Sequence, residues 1–320
     1  MYNHLTKYER DQIAVLHAQG QSHSEIAFQL HRSKSTIGRE IKRNKNDKGL
    51  YLSSFAQDKS DLRKQEAHKR ERIENLEIRT YVIEKIKLGW SPDIIAGRIK
   101  IEHPSLYITH ECIYQYIYNE DPQLGLFLPR KRVKRRPKSN PRKAKKTKIP
   151  NRTPINLRPE SANDRSVFGH YESDSIVSRE SKAALNVLVE RKSRYTIINP
   201  IEMKTAEETL KAIIISLAAY TPYVLSITYD NGTEFVYHEQ INYILESCSY
   251  FCQPYHSWEK GSVENRNWFI RRFLPKKTDF SKIDKSNIIQ IQDWINNRPM
   301  RCLDYKTPKE VFDYELKRCA

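Results

Sequence analysis

Glycine is scarce in this chain, with nine residues among 320. Neither G-x-x-x-x-G-K-[ST] nor G-x-G-x-x-G occurs. That removes the P-loop and dinucleotide-binding readings, since both need glycine where backbone amides approach phosphate. Long apolar runs are missing too. No run of about 18 apolar residues is present, so no membrane-spanning helix is expected. The opening MYNHLTKYER is too polar for a secretory signal. The five cysteines, odd in number and scattered, suit a reducing cytoplasm rather than a disulfide framework. Cys248 and Cys252 lie four apart near an expected helix end. No His/Cys pair follows them at zinc spacing, so they read as small buried residues.

Positive charge is what the chain has in excess. Lys and Arg number 56 against 39 Asp and Glu, a net +17. Such a balance points to a polyanionic partner, nucleic acid or an anionic membrane surface. The sharpest shift in composition is Arg130 to Lys148, where twelve of nineteen residues are basic and none is acidic. With Pro137 and Pro141 inside, it should be an extended linker. Its Arg130, Lys131, Arg132, Arg135 and Arg136 are candidate phosphate contacts, giving salt-dependent, sequence-blind binding along a duplex. A mere tether would not need that charge density.

Residues 5–44 read as three short helices: Lys7 to Gln19 with Thr6 as N-cap, a second from Ser24 to about Leu30, and a third from Ser33 to Arg43. Ile26, Ala27, Leu30, Ile37 and Ile41 fall at helical spacing and face one core. Two helices joined by about three residues form a helix-turn-helix pattern. The third would present Lys34, Ser35, Thr36, Arg39 and Lys42 to base edges and phosphates in a major groove. His31 and Arg32 stand in the turn where glycine is usual. Tyr51 to Asn75 should be mostly a charged connecting helix. Residues 80–119 repeat the theme more loosely. Ser91-Pro92-Asp93 starts one helix, and Thr109 caps another to about Tyr118. Most of Tyr107, Tyr114, Tyr116 and Tyr118 should pack.

From Phe168 the pattern turns to strands. Phe168–Ser178, Ala183–Arg191 and Arg194–Ile201 make a candidate antiparallel meander. A helix from Thr205 to Tyr220 follows, then a strand from Tyr223 to Asp230, a helix from Glu239 to Ser247 and a short apolar stretch, Tyr250 to Gln253. This order is α/β with a mixed sheet. Aspartate fits a strand poorly, yet Asp174 lies inside the first one, with Glu172 and Ile176 on its face. Asp230 closes the fourth strand before an Asn231-Gly232 turn, and after 33 intervening residues Glu264 opens a helix, Ser262 to Leu274. Asp174, Asp230 and Glu264 are candidate ligands of one metal site, with Glu172 as the alternative in the first strand. Hard carboxylate oxygens suit Mg²⁺ or Mn²⁺, and two such ions can drive in-line phosphoryl displacement.

Four segments carry a family resemblance: Gly169-His170-Tyr171-Glu172-Ser173-Asp174, Leu188-Val189-Glu190-Arg191-Lys192-Ser193-Arg194-Tyr195, Asp230-Asn231-Gly232-Thr233-Glu234-Phe235, and Pro254 to Asn265. Asn297-Arg298-Pro299 and Leu303 to Pro308 extend it. The chain resembles bacterial transposases of the insertion-sequence-30 family, within the DDE transposase and retroviral integrase group. The resemblance implies a ribonuclease-H-like catalytic core behind an all-α helix-turn-helix N-terminal region. It implies Asp174, Asp230 and Glu264 as the catalytic and metal triad, and a basic residue further along the helix, for which Arg271 fits. Lys260 and Arg266, close to Glu264 in sequence, join Arg271 as candidate holders of DNA ends. His256 is a candidate substrate contact. Ser173, Val263 and Asp304 depart from the family pattern, where Gly, Asn and Gly are usual, and none removes a carboxylate.

The implied activity is cleavage and strand transfer at the inverted repeats of an insertion sequence, with double-stranded DNA as partner, at least a homodimer, and a cytoplasmic, nucleoid-associated location. The competing classes are a DNA-binding repressor with an inactive core and a general nuclease. The expected organisation is a helix-turn-helix domain at 1–50, a connecting helix and second helix-turn-helix-like domain at 51–120, a basic linker at 121–165 and the catalytic domain at 166–320.

Overall fold

The computed structural model describes residues 4–68, 71–128, 149–253 and 257–319. The basic-linker candidates Arg130, Lys131, Arg132, Arg135 and Arg136, and also His256, lie outside the described residues. The chain divides into two compact units, Met1–Glu74 and Asn75–Ala320.

The first unit is helical: α1 (Lys7–Ala18), α2 (His23–Gln29), α3 (Lys34–Asn44) and α4 (Ser53–His68). Two capping boxes start it. Thr6 and Glu9 close reciprocal bonds at the head of α1, and Ser22 and Glu25 do so for α2, which therefore begins earlier than Ser24. Ile13, Ile26, Ala27, Ile37 and Ile41 form one core with Tyr51 and Ala56. The turn after α2 closes without glycine because His31 takes the left-handed region, φ 49°. Arg10 binds the bundle together from inside. It is 5% exposed; its Nε donates to Glu40 at 2.7 Å and its Nη1 to the Leu5 carbonyl and Gln57, both at 2.8 Å.

The second unit begins with α5 (Leu76–Lys87), α6 (Pro92–Glu102) and α7 (His110–Asn119), followed after a short α8 (Glu160–Asn163) by a five-stranded sheet. Its strands are β1 (His170–Val177), β2 (Ala184–Glu190), β3 (Thr196–Ile201), β4 (Ser226–Tyr229) and β5 (Cys248–Phe251), in the order β3-β2-β1-β4-β5. β1, β2 and β3 form the antiparallel meander, while β4 runs parallel to β1 and β5 parallel to β4. The α/β reading with a mixed sheet holds, and β1 and β4 are neighbours.

Helices cover both faces of the sheet, which is why all seven residues of β2 are buried. On one face Leu185, Val187 and Val189 meet α11 (Gly261–Phe273) and α12 (Lys285–Asn296), through Val263, Ile270, Ile288, Ile291 and Ile295. On the other, Leu188, Tyr171 and Ile227 meet α9 (Ala206–Leu217) and α10 (His238–Leu245). α13 (Pro308–Cys319) closes the unit, with Phe312 ringed by Phe168, Tyr195 and Tyr220.

The seams fall elsewhere than expected. Tyr51 and Ala56, before and on α4, share the core of the first unit. The 75–128 segment belongs with the sheet because Arg98 on α6 donates to both oxygens of Glu310 on α13, at 2.6 and 2.8 Å. Gly97 leaves room for the Tyr305 ring, which a Cβ would approach to 2.3 Å. Part of the expected linker is also structural: Ile149 joins the core, and Thr153 accepts from the Phe251 amide at 2.9 Å beside β5. Cys248 opens that strand, three residues after the end of a helix at Leu245, and is exposed, whereas Cys252 follows the strand and is buried as expected; all five cysteines are free. Among the described residues no helix is long and apolar enough to cross a membrane.

Removing Arg10 strands the Glu40 carboxylate in a poorly solvated place, a change that costs about 3 kcal/mol. In the full-length chain, Arg10→Met should lower hydrogen-exchange protection of α3 amides about 100-fold, read by mass spectrometry. Unchanged protection would contradict this role.

Candidate active site

The first of the four segments that carry the resemblance divides by role once placed on β1. Gly169 has φ 102°, and a Cβ there would come within 2.1 Å of the Tyr223 carbonyl oxygen. The close approach lets β1 run beside β4. His170 Nδ1 lies 2.7 Å from Ser226 Oγ, and burial pushes its pKa down to about 4. Tyr171 enters the core under α9 and α10. Glu172 is fully buried; the Arg191 guanidinium donates to one of its oxygens and the Val263 amide to the other at 2.8 Å. Glu172 is therefore a fastener between β1, the end of β2 and the start of α11. Asp174 keeps part of its surface, with 23% of its side chain exposed.

Strand register brings Asp174 and Asp230 together. β1 and β4 pair with Glu172 opposite Thr228. Two residues further along each chain stand Asp174 and Asp230. The Asp230 Oδ1 accepts from the Gly232 amide at 3.0 Å, which closes the Asn231-Gly232 turn. Asn231 is tied in turn to the Cys252 carbonyl at 2.8 Å and to Arg152. Between the two aspartates lies the ammonium of Lys260, 3.1 Å from Asp174 Oδ1 and 3.7 Å from Asp230 Oδ2. It also donates to the Ser173 carbonyl at 3.0 Å. Burial alone would push the Lys260 pKa down, but Asp174 and Asp230 outweigh it and hold the pKa above the usual lysine value. Asn267 Nδ2 donates to the second oxygen of Asp174 at 2.5 Å.

Glu264 reaches this neighbourhood through helical spacing. Lys260, Glu264, Asn267 and Arg271 follow an i, i+4, i+7, i+11 stripe along α11 and the residue before it. Three of the four touch β1: Lys260 and Asn267 at Asp174, and Arg271 at the Val177 carbonyl, 2.7 Å away. Glu264 itself is exposed. Among the described residues no three His, Cys, Asp or Glu side chains gather closely enough to hold a metal ion. The structure thus joins Asp174 to Asp230 and places Glu264 on the adjoining helical face without closing the triad.

The basic residues sort differently from their sequence reading. Lys260 and Arg266 are corrections, since both are buried and neither offers its charge to solvent. Lys260 is 5% exposed and Arg266 2%. Arg266 Nη2 donates to the Arg194 carbonyl at 3.0 Å, and burial disfavours its charge. Arg271 is partly exposed at the end of its contact with β1 and lies over the Phe280 ring. On α3, Lys34, Ser35, Arg39 and Lys42 are exposed, as a groove-facing surface requires. Thr36 is half-buried, with its hydroxyl 2.7 Å from the helix-capping Ser33. Tyr116 packs, while Tyr107 and Tyr118 are exposed, 66% and 64%. Asn267 was missed by the sequence reading. Its signal was its place three residues after Glu264, on the same side of the helix.

Fold and site together define a DNA-binding protein with an acidic α/β core. Residues 1–44 match the helix-turn-helix domain family. Over 316 residues the chain is 36% identical to the transposase for insertion sequence element IS4351 of Bacteroides fragilis, covering 98% of this chain and 96% of that one. It is 32% identical over 321 residues to transposase InsI for insertion sequence element IS30A of Escherichia coli (strain K12), covering 97% and 83%. The catalytic core domain of BIV integrase aligns at 21% identity with a TM-score of 0.39, over 48% of this chain and 99% of that one. The chain belongs to the insertion-sequence-30 family of transposases.

The buried His170 gives the core a pH dependence. Its folded pKa of about 4 lies below the ordinary histidine value. The folded chain keeps the ring neutral, while the unfolded chain takes up a proton below about pH 6.5. Stability is therefore full above that pH and falls by about 1.4 kcal/mol per unit toward pH 4. In urea titrations between pH 7 and 5, His170→Asn should flatten the slope by close to one proton. An unaltered slope would refute the assignment.

Proposed function

We propose that this chain is a DDE transposase that binds the ends of its insertion sequence, cuts there, and joins the freed 3′-hydroxyls to target DNA. The observation that carries the reading is the convergence of Asp174 and Asp230, from adjacent strands, on a single cation, with Glu264 on the helical face beside them. The donor set fits a hard divalent cation in its chemistry: one carboxylate on β1, a second just past the end of β4 and a third on the adjoining helix. Held by Asp174, Asp230 and Glu264, one or two Mg²⁺ or Mn²⁺ ions would supply an activated water and charge stabilisation at the leaving oxygen.

The chain's own residues do the rest. Lys34, Ser35, Arg39 and Lys42 on α3 hold the duplex, and the basic stretch around Arg130 to Arg136 adds sequence-blind contacts with phosphates. Arg271, at the open end of the α11 stripe, meets the strand entering the site. Asn267 fixes the Asp174 carboxylate in one orientation, and the Gly232 amide does so for Asp230. The Glu172–Arg191 pair keeps α11 seated on β1 while DNA binds. Two ends must meet for joining, so the working form is a dimer or larger, acting at the nucleoid in the cytoplasm.

The test uses DNA carrying the two ends that flank the coding region, with Mg²⁺ or Mn²⁺. Asp230→Asn and Glu264→Gln should bind these ends as the unaltered chain does, but lose joining by about 100-fold or more. Binding without joining by the unaltered chain would favour a repressor with an inactive core. Cutting without joining would favour a nuclease. Joining that survives both substitutions would overturn the site.

A further inference from the structure

Lys260 does something that a DNA-holding lysine could not do. Its ammonium donates to the Ser173 carbonyl at 3.0 Å and to Asp174 Oδ1 at 3.1 Å, and it is ion-paired with Asp230 Oδ2 at 3.7 Å. The side chain is 6% exposed, while the two carboxylates are 23% and 42% exposed. A buried cation therefore lies beneath two partly open carboxylates. The remaining oxygen of Asp174 accepts from Asn267 Nδ2 at 2.5 Å, so both oxygens of this carboxylate are engaged. A divalent ion binds such oxygens at about 2.0–2.2 Å. It cannot share the space between Asp174 Oδ1 and Asp230 Oδ2 with an ammonium.

Resting on the reading of Asp174 and Asp230 as metal ligands, we propose that Lys260 is a positioning residue. Its ammonium holds the two aspartates together as their internal counter-cation, and a divalent ion enters by displacing it. The arrangement removes the mutual repulsion of two carboxylates on neighbouring strands. It also sets a threshold for metal loading, because the ion must replace an ion pair already made. Lys260 lies one helical turn before Glu264 on the same face, next to Gly261, around which a Cβ would meet nothing within 4 Å. Withdrawal of the lysine and approach of Glu264 thus involve the junction between Lys260 and the first turn of α11.

The experiment measures Mn²⁺ binding to the full-length chain without DNA, by calorimetry, for the unaltered protein, Lys260→Gln and Asp230→Asn. Lys260→Gln should bind Mn²⁺ at least about tenfold more tightly, because a positive charge has left the site. In chelator its melting temperature should fall below that of the unaltered chain, and Mn²⁺ should raise it by a larger step. A second readout needs no folded variant. Amine-reactive labelling of the unaltered chain, read by mass spectrometry, should modify Lys260 faster when Mn²⁺ is present. A folded Lys260→Gln that binds Mn²⁺ no more tightly, or a labelling rate indifferent to Mn²⁺, overturns the proposal. Asp230→Asn separates the two layers of inference. If it binds Mn²⁺ as well as the unaltered chain does, the metal-site reading itself falls. If it loses binding while Lys260→Gln gains nothing, only the role of Lys260 falls.

Discussion

Glu172 and Arg191 are buried against each other in the middle of the α/β core, 0% and 3% exposed. The carboxylate takes the Arg191 guanidinium on one oxygen and the Val263 amide on the other, while Arg191 Nε reaches the Ala162 carbonyl at 2.7 Å. Four segments are fixed by this one pair: β1, the end of β2, the start of α11 and the short α8. Burying two charges costs several kcal/mol each, and good geometry with extra hydrogen bonds offsets that cost rather than exceeding it. Its contribution is therefore specificity of arrangement more than net stability. With Val263 held, Lys260 and Glu264 fall on either side of it at set heights along β1, and Asn267 meets Asp174. The acidic site inherits its geometry from an ion pair that takes no part in the chemistry.

Much of this was readable from residue order, and the unread part has physical causes. The meander, the strand ending at Asp230 and the three N-terminal helices follow from period-two and helical spacing, which are local properties. The neighbouring of Asp174 and Asp230 was only permitted by the element order; pairing register decides it. Glu172 and Asp174 are the same kind of residue on the same face of one strand. Only the three-dimensional placement of Arg191 and Val263 marks Glu172 as the fastener and leaves Asp174 facing Lys260. Lys260 and Arg266 were misread for a similar reason. Charge and closeness to Glu264 suggest DNA, but direction relative to the core is a tertiary property, and both point inward. α12 and α13 carry ordinary amphipathic patterns with no motif to mark them, yet they supply Ile291, Ile295 and Phe312 to the interior.

The segment from α5 to α7 also gains a different meaning from its packing. It was read as a second helix-turn-helix-like domain, apart from the catalytic one. Arg98 instead spans 212 positions of sequence to Glu310, and Trp294 donates to the Leu88 carbonyl at 2.8 Å. Asp304 and Tyr305, at φ 52° and 61°, occupy left-handed positions in the turn that presents the Tyr305 ring to Gly97. Glycine would be the easier residue at 304. The strained turn is held by Met300, whose carbonyl accepts from the Tyr305 amide at 3.0 Å. α5 and α6 are in consequence fixed in orientation relative to the helices that close the sheet.

The central claim is that β1, the end of β4 and the start of α11 form one cation site. Iron(II) substituted for the divalent ion, with ascorbate and peroxide, generates radicals that cut the polypeptide next to the bound metal. Mass spectrometry should find cuts near Asp174, near Asp230 and near Glu264. All three should be suppressed by excess Mg²⁺ and lost in Asp230→Asn. Cuts confined to the two strands, or insensitive to Mg²⁺, would contradict a site completed by α11.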